Sequence, residues 1–371
     1  MASARTFVEG LLKKADITIG GSRPQDIQVH DERLFNRIIR YGTLGLGEAY
    51  MDGWWDANAV DVFIDKVLRS HLDKAIEINF SSIFTIARAF LFNLQSTSRA
   101  FKIGEAHYDL GNDLYEAMLD SRMVYSCGYW KDANTLGEAQ EAKLDLICKK
   151  IGLKKGDHIL DIGCGWGSFA KYAAEKYGAS VVGVTVSKAQ AALAKERCKG
   201  LPVEIRIQDY RELNEEFDHI ISIGMFEHVG VKNYRTYFEV AKRCLKENGL
   251  FLLHTIGYKL SQLTSDPWIE KYIFPGGQLP SVAQIGKGVE GLFIVEDLHN
   301  FGADYDTTLM AWFKNFDAAW PAFREKYGNR FYRMWKYYLL TCAGAFRARD
   351  TELWQLVLSP SGLPGGYSAV R

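Results

Sequence analysis

ILDIGCGWGSFAKYAAEKYGASVVGVTV, Ile159–Val186, is the stretch from which the rest of the chain can be laid out. Ile159 to Ile162 is an apolar run of strand length, broken by Gly163-Cys164-Gly165-Trp166-Gly167. A helical pattern follows, Gly178 ends it, and Val181–Val186 supplies a second apolar strand, so the stretch predicts one βαβ unit. Glycines at alternate positions permit a tight turn and leave bare main chain against which a ligand can lie. A dinucleotide site would read G-x-G-x-x-G with an acid about 20 residues on. Here the glycines read G-x-G-x-G and the second strand ends at Thr185 with no acid nearby.

The pattern Asp161-x-Gly163-x-Gly165-x-Gly167 is instead similar to that of S-adenosylmethionine methyltransferases, with Asp161 anchoring the turn; a purely structural glycine turn is the competing reading. Downstream, strands are expected at Val203–Gln208, Phe217–Ile223, Gly249–Ile256, Leu292–Val295 and Leu353–Leu358, with helices between most of them. Strand–helix alternation predicts an α/β, doubly wound, Rossmann-like sheet with its ligand at the carboxyl edge. Upstream, a helix is expected over Leu136–Ile151 and another within 107–119.

Residues 1–95 read as a small, mainly helical domain, 96–105 as a linker and 106–371 as the catalytic domain. Phe7–Ala15 and Glu32–Tyr41 are the expected early helices, the second capped by Asp31 and ended by Gly42. Between Phe80 and Leu94 apolar residues point all round a helix with Arg88 as its one charge. Such a helix is either buried or lies at a lipid surface.

The 371 residues carry 45 basic and 45 acidic side chains, a balance that gives no footprint for nucleic acid. The six cysteines show no metal-type spacing and suit a reducing compartment, so no metal site is expected. Neither a secretory leader nor an apolar span of ~20 residues is visible in the sequence.

Chemistry is expected where the strands end. Gly224-Met225-Phe226-Glu227-His228 follows the fourth strand, His254-Thr255-Ile256-Gly257 closes the fifth, Tyr305 follows the sixth, and Tyr125-Ser126-Cys127 precedes the first. Each has an ordinary structural reading as well: an ion pair for Glu227 with His228, a core position for His254, an inert thiol for Cys127, a bonded hydroxyl for Tyr305. The surroundings are rich in rings (Trp130, Phe226, Trp268, Tyr272, Phe274, Phe301, Tyr305, Trp312, Phe313). Such a lining suits an acyl chain, and also a cationic intermediate, through attractions of ~0.5–2 kcal/mol per ring. The Asn/Asp-Pro-Pro-Tyr/Phe motif of methyltransferases acting on base or amide nitrogens is absent.

YSCGYW (125–130), ILDIGCGWGSFA (159–170), GVTVSKAQ (183–190), GMFEHVG (224–230), HTIG (254–257), FGADYDTTLMAWF (301–313) and CAGAFRARD (342–350), in this order, resemble the cyclopropane-fatty-acyl-phospholipid synthases. The mycolic acid cyclopropane synthases share the catalytic half, and LGLGEAYMDGWW (44–55) resembles the N-terminal domain that only the phospholipid enzymes carry. The resemblance implies methylene transfer from S-adenosylmethionine to a cis double bond in an intact phospholipid, with a bound bicarbonate as base. By the same resemblance Cys127 and Ile256 hold that ion through backbone groups, and Glu227, His254 and Tyr305 through side chains. Cys342 is a candidate thiol with no evident step to perform. Tyr125, Ser126, Asp161, Gly163, Gly165, Thr185, Gln190, Asp209 and Tyr210 are implied for the methyl donor. A homodimer, peripherally attached to the inner face of the cytoplasmic membrane, is the implied working form. The alternative is a methyltransferase acting on nitrogen or oxygen of a small molecule or lipid headgroup; a non-catalytic lipid-binding protein is the third reading.

Overall fold

The computed structural model describes residues 3–72 and 111–371, and its contacts separate two units. The apolar 80–94 helix and the 96–105 linker expected above lie outside the described residues. The first unit takes the described part of Met1–Phe92 together with Leu263–Pro275 and Tyr305–Thr351. Sequence order therefore differs from spatial grouping: two later segments join the N-terminal residues.

In that unit helix Ala4–Lys14 is capped by Ser3, whose hydroxyl accepts the Thr6 N–H. Helix Arg33–Met51 begins beside Asp31, which accepts the Arg33 N–H at 2.9 Å. Gly42 was expected to end this helix; its φ of 57° breaks the dihedrals there, but helical turns resume to Met51. Two short strands, β1 (Ile27–Val29) and β2 (Trp55–Ala57), pair antiparallel. Buried Tyr50, Trp55, Phe63 and Tyr337 pack ring against ring in the core. Trp268, on helix Pro267–Tyr272, is fully buried and donates from Nε1 to Met51 Sδ at 3.3 Å. A Cβ at Gly47 would sit 2.4 Å from its ring, so this close approach requires glycine. Most of the long helical stretch Ala303–Arg347, interrupted at Gly328, also belongs here, and Arg347 pairs with Asp61 and Asp306.

The second unit is built on a seven-stranded sheet whose strands are β3 (His158–Ile162), β4 (Ser180–Thr185), β5 (Val203–Ile207), β6 (Phe217–Ile223), β7 (Leu245–Tyr258), β8 (Ile294–Asn300) and β9 (Thr351–Ser359). Their order is β5-β4-β3-β6-β7-β9-β8. The strands from β5 across to β7 run parallel, and β8 lies antiparallel to β9. The doubly wound α/β expectation holds. Both faces of the sheet are covered. Leu160, Ile162, Val182 and Val184 enter one core cluster, while Ile159, Val181, Ile221 and Leu252 enter the other. That period-2 division of continuously apolar strands is what a sheet buried on both faces requires.

The chain reverses direction across the sheet at β3, which lies between β4 and β6. Ligands of such sheets bind outside the carboxyl ends of the strands at this switch. The observed β6 matches its expected bounds, and β7 extends four residues further toward its start than expected. The sixth strand differs more: Ile294–Asn300 replaces Leu292–Val295. As the edge strand it carries Glu296, Asp297, His299 and Asn300, which an apolar-run reading passes over.

Candidate functional site

The site starts at the glycine turn. Gly163, Gly165 and Gly167 all have positive φ, at 85°, 53° and 78°. The first N–H groups of the turn, from Gly163 and Cys164, donate to the Val184 carbonyl at 2.9 and 3.1 Å and tie it to β4. A Cβ at Gly163 would strike Met225 at 2.6–2.7 Å, whereas one at Gly165 would meet nothing within 4 Å. Gly163 is therefore required by packing as well as by its turn. Gly165 presents main chain to open space, which is what a ligand lying against the turn needs.

At the end of β4, buried Thr185 and Gln190 meet through Oγ1 and Oε1 at 3.2 Å, and Thr185 Oγ1 also accepts the Ser187 N–H. Asp209, after β5, is buried and gives its carboxylate to Arg211, accepting from the backbone N–H and from Nε and Nη2 at 2.6–3.0 Å. The adjacent Tyr210 ring stands edge-on to Tyr237 at 5.3 Å. Tyr125 packs against Tyr115, which also meets Trp166 of the glycine turn. Gly224, at the end of β6, lies beside Ser126 and donates its N–H to the His254 carbonyl at 3.0 Å.

Glu227 and His254 are both buried and both shifted by that burial. Glu227 Oε1 accepts the Ile256 N–H at 2.7 Å, while Oε2 is buried with no hydrogen-bond partner. Burial, opposed by the Ile256 N–H, raises this carboxyl to about 7. His254 is 1% exposed and meets Gln355 Nε2 through Nδ1 at 3.2 Å. With the Gln355 amide nitrogen turned to Nδ1, Nδ1 accepts and Nε2 is the protonated nitrogen; Nε2 and Gln355 Oε1 are both buried without a partner. Burial, reinforced by the charges of Lys143 and Lys150, drives the His254 pKa well below the usual histidine range, so the ring is neutral. Two unspent polar atoms, an acceptor and a donor, thus sit at the carboxyl ends of neighbouring strands. In this setting each costs ~1–3 kcal/mol unless a bound group satisfies it.

Ile256 spends its N–H on Glu227, and its carbonyl accepts the Thr255 hydroxyl at 3.0 Å, leaving at most a carbonyl lone pair for a ligand. Cys127 is wholly buried and directs Sγ to the Gly128 carbonyl at 3.1 Å. Burial lowers His228 to about 4, so a Glu227–His228 ion pair lacks its cation at neutral pH. Cys127, Glu227, His254 and Ile256 share the sheet unit. Tyr305 and Cys342 belong to the other one, where Tyr305 packs on Trp312 and Phe346. There burial, aided by the charge of Asp266, pushes the Cys342 thiol up to about 12, and no thiolate is available at neutral pH.

The expected ring lining divides in the same way. Trp268, Tyr272, Phe274, Tyr305, Trp312 and Phe313 lie in the first unit. Phe226 is a core residue, stacked on Tyr234 at 4.2 Å, because the turn after β6 folds its ring back under the helix Tyr234–Cys244. Phe301 does face the site, edge-on to His254 at 5.9 Å.

One residue was not anticipated. Lys143, on helix Leu136–Lys150, is fully buried and donates from Nζ to Ser126 Oγ at 2.8 Å. Its signal was available: it falls four residues after Ala139 and four before Ile147, on the apolar face of the helix. Asp161, on β3, is buried too, and burial raises it to about 7 against the opposing charge of Lys143. Among the described residues no group of three potential ligands could hold a metal ion, and no helix is long and apolar enough to cross a membrane.

Residues 95–356 match the family model described as mycolic acid cyclopropane synthetase. The chain is 57% identical over 361 residues to the cyclopropane-fatty-acyl-phospholipid synthase of Escherichia coli strain K12, an alignment covering 97% of this chain and 94% of that protein. It is 35% identical over 285 residues to cyclopropane mycolic acid synthase 2 of Mycobacterium leprae, covering 68% and 92% of the two chains. A solved mycolic acid cyclopropane synthase, complexed with S-adenosylhomocysteine and CTAB, superposes with a TM-score of 0.65 at 34% identity, over 70% of this chain and 97% of that one.

Proposed function

The chain belongs to the mycolic acid cyclopropane synthetase family, a family of S-adenosylmethionine-dependent methyltransferases, and on that premise we propose that it converts cis double bonds in phospholipid acyl chains to cyclopropanes. The reach of the alignment favours a phospholipid over a mycolic substrate. The phospholipid synthase aligns over 97% of the chain, and the mycolic synthase over 68%. S-adenosylmethionine supplies the electrophilic methyl carbon, and bicarbonate a proton acceptor. In the net reaction the π pair of the alkene forms a carbon–carbon bond as the carbon–sulfur bond breaks. One proton of the transferred carbon then leaves, and its electron pair closes the ring.

The chain's own residues have three tasks in this reading. The turn at Gly163–Gly167, open at Gly165, seats the donor, with Asp161 as the nearby anion for a positively charged ligand. If the ion binds there, His254 Nε2–H would donate to one of its oxygens and Glu227 Oε2 would accept from its hydroxyl. Water is kept from the charge left on the acyl chain by the burial of these groups. The observation that carries the reading is that Glu227 Oε2 and His254 Nε2, both buried and unpartnered, belong to residues at the carboxyl edge of neighbouring strands β6 and β7, where such sheets bind their ligands. No nucleophile activated beforehand is required, in keeping with the protonated Cys342 thiol.

The test is purified protein with methyl-labelled S-adenosylmethionine and vesicles of unsaturated phospholipid. Label should enter the acyl chains in non-exchangeable form. Label confined to headgroups or to a small amine would establish the nitrogen or oxygen methyltransferase instead. Attachment to the bilayer surface and a homodimeric state complete the proposal. They are tested by vesicle flotation and by light scattering on the eluting protein.

A further inference from the structure

Gln355 is a polar side chain in the middle of a buried apolar strand. Its neighbours along β9 are Leu353 and Trp354 on one side and Leu356, Val357 and Leu358 on the other, and all of these residues are buried. Alternation along β9 sends Trp354, Leu356 and Leu358 into one core cluster and Val357 into the other. Gln355 therefore shares the face of Val357. On the adjacent β7, Leu250 and Leu252 enter that same cluster, so His254 turns to the same side. There the two polar side chains meet, Gln355 Nε2 lying 3.2 Å from His254 Nδ1.

His299, paired with Gln355 across β8, turns its own Nδ1 to Lys150 Nζ at 3.1 Å, and Gln355 Oε1 has no hydrogen-bond partner. Packing alone does not require an amide at this position, and burying one with a single hydrogen bond is costly. The contact has a chemical consequence instead. A ring nitrogen that accepts a hydrogen bond carries no proton, so the hydrogen of the neutral imidazole is on Nε2. Turned the other way, the amide would leave its whole NH₂ group in the unpartnered position. Buried N–H groups without acceptors are rarer than buried carbonyls without donors.

We propose that Gln355 is a positioning residue for the proton acceptor of the reaction: its amide holds His254 in the form that carries hydrogen on Nε2, the nitrogen left for a bound anion. The proposal rests on the reading of His254 as a ligand of bicarbonate. Apart from its one hydroxyl, that ion presents only acceptor oxygens. An Nε2–H therefore attracts it, and a bare Nε2 lone pair repels it.

The experiment is ¹⁵N nuclear magnetic resonance of the histidine rings in the full-length protein and in Gln355→Glu at pH 9, with bicarbonate titrations of activity on the same samples. The His254 signal is identified by its loss in His254→Gln. In the wild-type protein Nε2 should be protonated and Nδ1 bare. A carboxylate at position 355 can only accept, so the proton should move to Nδ1. Half-maximal activity should then need about 10–100-fold more bicarbonate, the worth of one hydrogen bond to a charged group, while half-saturation by S-adenosylmethionine stays at its wild-type value.

A proton on Nδ1 in the wild-type protein would overturn the proposal whatever the variants do. So would an unmoved proton in Gln355→Glu, or equal weakening toward bicarbonate and S-adenosylmethionine, which marks a residue that merely supports the fold. If Gln355→Glu does not fold, Gln355→Met is read instead: it offers Nδ1 nothing, so both ring forms should appear where the wild-type protein shows one, and a single unchanged form would overturn the proposal. Wild-type activity indifferent to bicarbonate, with the hydrogen found on Nε2, would instead remove the ion reading on which the proposal rests.

Discussion

Glu227→Gln should make this protein more stable and nearly inactive. The substitution keeps the shape of the side chain and the acceptor for Ile256 N–H, and removes only the capacity to carry charge. Burial raises the wild-type carboxyl from 4.5 to about 7. The unfolded chain therefore releases this proton at lower pH than the folded one does. For a carboxyl raised in this way, stability is fully present below pH 4.5 and is lost as pH rises to about 7. By that linkage the wild-type group costs about 1 kcal/mol at pH 5 and about 3 kcal/mol at pH 8. Glutamine avoids the cost but places an NH₂ where Oε2 had no partner, which returns about 1 kcal/mol. The net gain at pH 8 is about 2 kcal/mol, or ~4–8 °C in Tm for a unit of this size.

Near pH 5 the two effects nearly cancel and the two proteins should melt together. Methylene transfer should fall by about 10²–10⁴, the range for loss of a group that handles a proton in catalysis. Thermal melts at pH 5 and 8, paired with acyl-product assays on the same samples, measure both. A variant destabilised at pH 8, or one with activity within about twofold of wild type, far short of the expected loss, would refute the account of this carboxyl.

Three further outcomes follow from the geometry. Gly165→Ala meets open space and bears only left-handed backbone strain, ~1–2 kcal/mol. It should weaken donor binding while leaving a folded protein, whereas Gly163→Ala, which strikes Met225, should lower Tm more; calorimetry and melts separate the two. Cys342→Ala should retain activity within about threefold, since a protonated buried thiol has no proton or electron pair to offer at neutral pH. Loss of all turnover in a folded Cys342→Ala sample would contradict this. Trp268→Ala should cost about 3–5 kcal/mol in chemical unfolding of its unit, because the ring fills the space over Gly47 and bonds Met51.

What was legible in the sequence was local. Ile159–Val186 announced a strand, a glycine turn, a helix and a second strand because each signal lies within a few residues of the next, and β6 kept its expected bounds. Glu227 and His254 were found by asking which polar residues close apolar strands. Three things were missed, the first because it depends on contacts distant in sequence. Trp268 and the residues after Tyr305 read as parts of the catalytic domain, yet they pack with Met51, Asp61 and their neighbours. Phe226 read as a pocket wall, although the turn that carries Glu227 folds the preceding ring into the core. Lys143 was passed over, because a lysine is normally solvated and only its place on the inner face of the helix argues otherwise.

The most direct test is the mass of the acyl chains recovered after incubation with S-adenosylmethionine and cis-unsaturated phospholipid vesicles, in carbonate-depleted buffer and again after bicarbonate is restored. The account predicts chains heavier by one CH₂ and lacking their double bond, formed slowly in the depleted buffer and rapidly on restoration. Added mass on the headgroup, or an acyl product formed at the same rate in both buffers, would contradict it.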